Sequence, residues 1–247
     1  MIYELMNKLP RESSFLYSED VLTGTIFGNL RYFRDQKILI NFLNESYDIN
    51  GEKPKIDNRN IFDIYFWKKY YSKNKHKYNE PDLYLTNRIY DIIIECKYNS
   101  VLDEKEIIDE NIINYTNQII RYSEIIEKSN KIKIMIYLTN EDNIPKDQIS
   151  KSLKKLNVNI HLFWLSWRKL YKVMNQESII KYSHGEQQLF NDLLLFLKKR
   201  KLTVFCGFKD KNISIDWKYL KYYKYIPHNS EISSWRYKNE KQTCLFD

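Results

Sequence analysis

Apolar and polar positions change period along the chain, and each change marks an element. Ser18 to Tyr32 reads as an amphipathic stretch, predicting a helix over 18–34 with Ser18 as N-cap and Glu19 and Asp20 in the first turn. A second helix is expected over 36–46, followed by a polar stretch from Asp48 to Asn60 that contains Gly51 and Pro54. Phe62, Ile64 and Phe66 then alternate with Asp63 and Tyr65, the period of a strand over 61–67. Further strands are predicted over 82–86 and 89–97, where Ile92, Ile93 and Ile94 form a run apolar on both faces. A long helix over 103–128, a strand over 132–138, a helix opened by Pro145 and running to Leu156, and a strand over 159–165 complete this part. Leu189, Phe190, Leu193, Leu194 and Leu197 give a helix over 186–201 its apolar face, and a short strand is expected over 203–208. The order describes an α/β protein with a central mixed sheet flanked by helices. It divides into a core over 1–166 and a C-terminal helix-strand extension over 167–247 that either stands apart or belongs to the same domain.

The chemistry gathers in the run from Pro81 to Lys97. Residues two apart on a strand point the same way, so Glu95 and Lys97 share a face. A tight reversal near Thr86, Asn87 and Arg88 returns Asp82 to their side. Two acids and one base at the end of a buried strand suit phosphodiester hydrolysis with a hard divalent cation. Mg²⁺ prefers oxygen ligands and commonly takes one or two carboxylates plus water and substrate phosphate. Asp82 and Glu95 supply such oxygens, the carbonyl of Cys96 is placed to add a third, and Mn²⁺ would be able to substitute. The cation neutralises charge on the phosphate and acidifies a water. Lys97 then orients the nucleophile, and desolvation near a metal would lower its pKa. An E-x-K triplet by itself is weak; its conjunction with Pro81-Asp82, a hairpin-length gap and the three isoleucines is what gives it weight.

With Pro81-Asp82 as first element and Glu95-Cys96-Lys97 as second, the chain resembles the PD-(D/E)xK nuclease superfamily, which implies a restriction-endonuclease-like core. Gln118-Ile-Ile-Arg121-Tyr122 is similar to the QxxxY element of its recombination-exonuclease branch; Gln118 and Tyr122, four apart, share a helix face. In that branch the glutamine contacts the active site and the tyrosine contacts nucleic acid, which assigns Gln118 to the catalytic set and Arg121 and Tyr122 to substrate contact. Families of this type often carry a glutamate on the first core helix as an extra metal ligand. Glu19 is the first candidate and Glu12 the second, while first-turn acids at 19 and 20 also serve simply to complement a helix dipole.

The chain has 247 residues, 40 Lys and Arg against 32 Asp and Glu, 21 tyrosines and 5 tryptophans, a balance that suits gripping phosphates and stacking bases. An AT-rich coding genome would also produce Lys- and Tyr-rich usage. A local cluster from Trp67 to Tyr78 places Lys68, Lys69, Lys73 and Lys75 ahead of Asp82, where they would guide a strand; a second runs from Trp217 to Tyr225. Both also read as solvated surface. Cys96, Cys206 and Cys244 make neither a disulfide framework nor a zinc pattern, and His76, His161, His184 and His228 are scattered. No apolar run approaches bilayer length and the first residues lack signal-peptide character, so a cytoplasmic protein is expected. No glycine-rich phosphate loop is present, so an ATP-driven process would need a partner motor. The expectation is a Mg²⁺-dependent DNA endonuclease of a bacterial antiphage or restriction system under a partner's control. A repair or recombination nuclease, or a catalytically silent nucleic-acid-binding or assembly subunit, is the alternative.

Overall fold

Three consecutive isoleucines place apolar side chains on both faces of one strand, and the rest of the fold is built around that strand. In a computed structural model the described residues are 18–71, 78–98, 100, 102, 105–109, 112–157 and 159–204, with the backbone alone at 105–109 and 112–115. They fall within a compact unit, Met1–Phe205. The central sheet has five strands: β1 (Asp63–Phe66), β4 (Leu83–Thr86), β5 (Tyr90–Cys96), β8 (Ile132–Thr139) and β9 (Ile160–Ser166), in the spatial order β1-β4-β5-β8-β9. The first two pairings are antiparallel and the last two parallel, which makes the sheet mixed.

Helices cover both faces. On one side α1 (Glu19–Leu30), α2 (Lys37–Leu43), α5 (Arg168–Gln176) and α6 (His184–Lys199) pack on Ile92, Ile94 and Cys96. On the other, α3 (Gln118–Ile126) and α4 (Lys146–Leu153) pack on Ile93, Met135 and Tyr137. The helices after Trp167 share the first core, into which Trp167, Leu170, Leu193 and Phe196 are fully buried. Ser183 and Glu186 form a capping box that starts α6. Among the described residues no helix is long and apolar enough to cross a membrane.

The structure departs from the sequence-based expectation in four places. The long helix over 103–128 is replaced in its first half by a hairpin, β6 (Lys105–Asp109) paired antiparallel with β7 (Ile112–Thr116). Ile107, Ile108, Ile112, Ile113 and Thr116 are β-branched and favour strand over helix. Asn117 then starts α3 afresh, its Oδ1 accepting from the Ile120 N–H at 3.0 Å. The second feature is a two-stranded ribbon, β2 (Tyr70–Tyr71) with β3 (Tyr78–Asn79), inside the lysine-rich segment before Pro81. Helix α5 had no counterpart in the sequence reading, and the strand expected over 203–208 is not formed at Thr203 and Val204 and otherwise lies outside the described residues.

Candidate active site

The hairpin between β4 and β5 sets the site. Asn87 Oδ1 accepts from the Ile89 and Tyr90 N–H groups at 2.8 Å each, fixing the turn and hence the register that pairs Leu83 with Ile94. Asp82, one residue before β4, is thereby delivered to the end of β5, where its Oδ2 accepts from the Cys96 N–H at 2.7 Å. Strand alternation puts Glu95 and Lys97 on a common face, and Lys97 Nζ lies 2.7 Å from Glu95 Oε1. The first turn of α1 reaches the same point: Glu19 Oε1 lies 3.3 Å from Lys97 Nζ, and its Oε2 accepts from the Tyr98 N–H at 3.0 Å and the Ser100 hydroxyl at 2.7 Å. Ser18 is the N-cap of α1 without a side-chain capping bond. Glu19 is thus engaged across the fold with the end of β5.

One ammonium contacts two carboxylates, Glu95 and Glu19, with the charge of Asp82 close by, and the pair at its centre is buried. Glu95 is 2 % exposed and Lys97 7 %. Burial, then the charge of Asp82, pushes the Glu95 carboxyl up to about 8 against the opposing pull of Lys97. Burial likewise raises Asp82 to about 6, with the Cys96 N–H and Lys97 opposing it and Glu19 and Asp20 adding to it. Burial works against the Lys97 ammonium, but Glu95, Glu19 and Asp82 outweigh it and hold its pKa above the ordinary lysine value. The lowering expected beside a bound cation is thus set against a raised value in the metal-free site. In the metal-free site Lys97 is held as an ammonium and donates to Glu95 and Glu19.

A contrast lies at the other end of the same strand. Asp91 is 3 % exposed, yet its carboxylate accepts from Tyr84, Thr86 and Ser129 and pairs with Lys131 at 3.1 Å. Those bonds overcome burial and lower its pKa. Asp91 is a satisfied structural acid. Asp82 and Glu95 are under-compensated ones, the kind of perturbation that marks functional positions.

The donor chemistry fits a hard divalent cation. Asp82 and Glu95 offer two carboxylates with a deficit of positive charge, as many as Mg²⁺ commonly takes from protein. Among the described residues no group of three or more His, Cys, Asp or Glu side chains stands ready to enclose a metal ion. Glu19 is instead turned onto Lys97, Tyr98 and Ser100. Cys96 gives its N–H to Asp82, and its thiol is fully buried, which pushes the thiol pKa well up.

Helix α3 flanks the acids. Tyr122, 7 % exposed, hydrogen-bonds Gln118 through its side chain; burial first, then the charge of Glu95, raises its pKa to about 12. Gln118 and Tyr122 are brought together, with Tyr122 facing the acids from within the core. Arg121 is half-buried and its carbonyl accepts from Asn79 at 3.0 Å. Of the expected nucleic-acid contacts, Lys68 lies over the rings of Tyr65 and Tyr70 at 4.6 and 5.4 Å, and Lys69 over Tyr78 at 4.6 Å while 3.7 Å from Glu80. Lys73, Lys75 and Glu12 lie outside the described residues, as does the aromatic cluster from Trp217. Sequence reasoning missed Trp167, whose indole N–H donates to the Lys97 carbonyl at 3.2 Å and fixes the strand end. Seventy positions of separation left no local signal for that contact.

Comparison with protein-family models, with curated proteins and with solved structures finds no match to this chain.

Proposed function

We propose that the chain is a Mg²⁺-dependent nuclease of the PD-(D/E)xK type that hydrolyses phosphodiester bonds in DNA. The observation that carries this reading is the gathering of Asp82, Glu95, Glu19 and the Lys97 ammonium at the end of β5, with both Asp82 and Glu95 raised in pKa. Asp82 and Glu95 would hold the cation. When bound, Mg²⁺ supplies charge neutralisation at the phosphate and acidifies water. Lys97, held as an ammonium by its acidic neighbours, donates hydrogen bonds and fixed positive charge to the attacking water and the phosphate oxygens. Glu19 aims that ammonium, and Gln118 with Tyr122 walls the acids on the α3 side. A DNA nuclease acting freely endangers the genome that encodes it, so the proposed setting is a controlled one, a bacterial defence assembly with a partner or trigger.

The test is incubation of supercoiled plasmid, linear duplex, single-stranded DNA and RNA with the protein in Mg²⁺, Mn²⁺ or chelator. Metal-dependent cutting of DNA supports the reading, and nicked or linearised plasmid assigns endonuclease action. Binding without cutting in any metal favours the silent nucleic-acid-binding subunit.

A further inference from the structure

Helix α1 gives Glu19 to the acidic cluster, and its next turns line a separate cleft of about 650 Å³. That size lies within the range of small-ligand sites. Gly24 and Gly28, one turn apart, leave the helix wall bare; an added Cβ at Gly24 would come within 3.3 Å of the Trp67 ring, and one at Gly28 would meet nothing within 4 Å. Phe66 and Trp67 line the cleft from the end of β1, their rings 5.5 Å apart. Arg31 and Tyr32 also line it, the exposed guanidinium standing 4.8 Å over the tyrosine ring.

Two polar groups in this lining have no partner. Thr25 is only 3 % exposed, and its hydroxyl makes no hydrogen bond; the buried indole N–H of Trp67 makes none either. Such groups are rarely left unpaired in a core, and both lie behind the cleft surface, closed off from solvent. Trp67 also has a left-handed backbone, φ 46°, and its N–H donates to the Asp82 carbonyl at 3.2 Å. The cleft wall is therefore tied to one of the candidate metal-holding acids.

A flat ring joined to an anion matches aromatic walls, a helix face bared by two glycines and an exposed guanidinium. We propose that the cleft is a nucleobase subsite: it takes one unstacked base against Trp67, with an adjoining phosphate on Arg31. This rests on the nuclease reading and adds substrate form to it. A base inside a duplex cannot enter such a cleft without leaving its stack, so single strands and frayed ends are the favoured substrates.

Gly28→Leu tests this directly, since its branch grows into open space and leucine is the better helix former. Anisotropy of a labelled single-stranded oligonucleotide in chelator is compared with the same strand carrying scanned abasic positions, and with duplex. Wild type should bind the intact single strand more tightly than duplex and lose about tenfold or more with an abasic residue at one register. Gly28→Leu should bind the intact strand as weakly as the abasic one, with a melting temperature no lower than that of wild type. Equal binding of intact and abasic strands by wild type, or full abasic sensitivity in Gly28→Leu, overturns the subsite. If wild type cuts DNA while Gly28→Leu binds normally, the subsite fails and the nuclease stands. If the base effect is present but no metal supports cutting, the subsite stands and the nuclease fails.

Discussion

Glu95 and Asp82 are buried acids near a single ammonium, and burial holds both carboxyls above their ordinary range against its pull. Without a metal the cluster keeps a proton near neutral pH. The consequence for stability has a definite sign: Glu95 and Asp82 bind protons more tightly in the folded chain than in the unfolded one. Their ionisation therefore destabilises the fold as pH rises, from 4.5 to about 8 for Glu95 and from 3.8 to about 6 for Asp82. Urea unfolding in chelator should give a lower midpoint at about pH 9 than at about pH 5.5, and Glu95→Gln should flatten that slope. A midpoint that climbs over this interval would show that the acids are compensated. Lys97→Met removes the shared counter-charge, and its cost should be about 3–5 kcal/mol at the higher pH and less at the lower, where protons replace the ammonium.

The β4–β5 hairpin and α3 differ in how much of them the chain discloses locally. Alternation in Phe62 to Phe66, the isoleucine run and the Asn87 turn are short-range signals, so the pairing of Asp82 with the end of β5 was legible before any coordinates. The segment before Gln118 was not, because its apolar residues fit a helical period as readily as a pair of strands, and the hairpin there resolves the ambiguity. Placing Gln118 and Tyr122 then depends on Asn117, fully buried, which caps α3 and donates to Ser152 Oγ at 2.8 Å. Asn117→Ala should cost about 1–2 kcal/mol, read as a lower urea midpoint. It should also slow any cleavage more than an equally destabilising change in α6, such as Ser183→Ala at the capping box. Equal effects would detach α3 from the chemistry.

Across the molecule, the sheet delivers chemistry from three separated stretches of chain to one end: α1 brings Glu19, the hairpin brings Asp82, Glu95 and Lys97, and α3 brings Gln118 and Tyr122. The α/β architecture with its mixed sheet followed from element order. The engagement of Glu19 with Lys97 did not, since 78 positions separate them and a first-turn glutamate serves a helix dipole equally well. Nor did the cleft beside Trp67, which forms where α1 sets Gly24 against the Trp67 ring and leaves Gly28 facing open space. The net charge of +8 suits a polyanionic substrate, while Lys68 and Lys69 are already occupied by tyrosine rings, so the cationic balance is not concentrated on those two residues. The most direct measurement is the single-turnover rate of DNA cleavage in Mg²⁺ for wild type, Glu95→Gln and Lys97→Met, with folding of each checked by its melting curve. The expected result is cutting by wild type that chelator abolishes and that falls by at least about a hundredfold in both variants. Cutting that persists at the wild-type rate in folded Glu95→Gln or Lys97→Met, or that ignores chelator, contradicts the assignment of chemistry to this cluster.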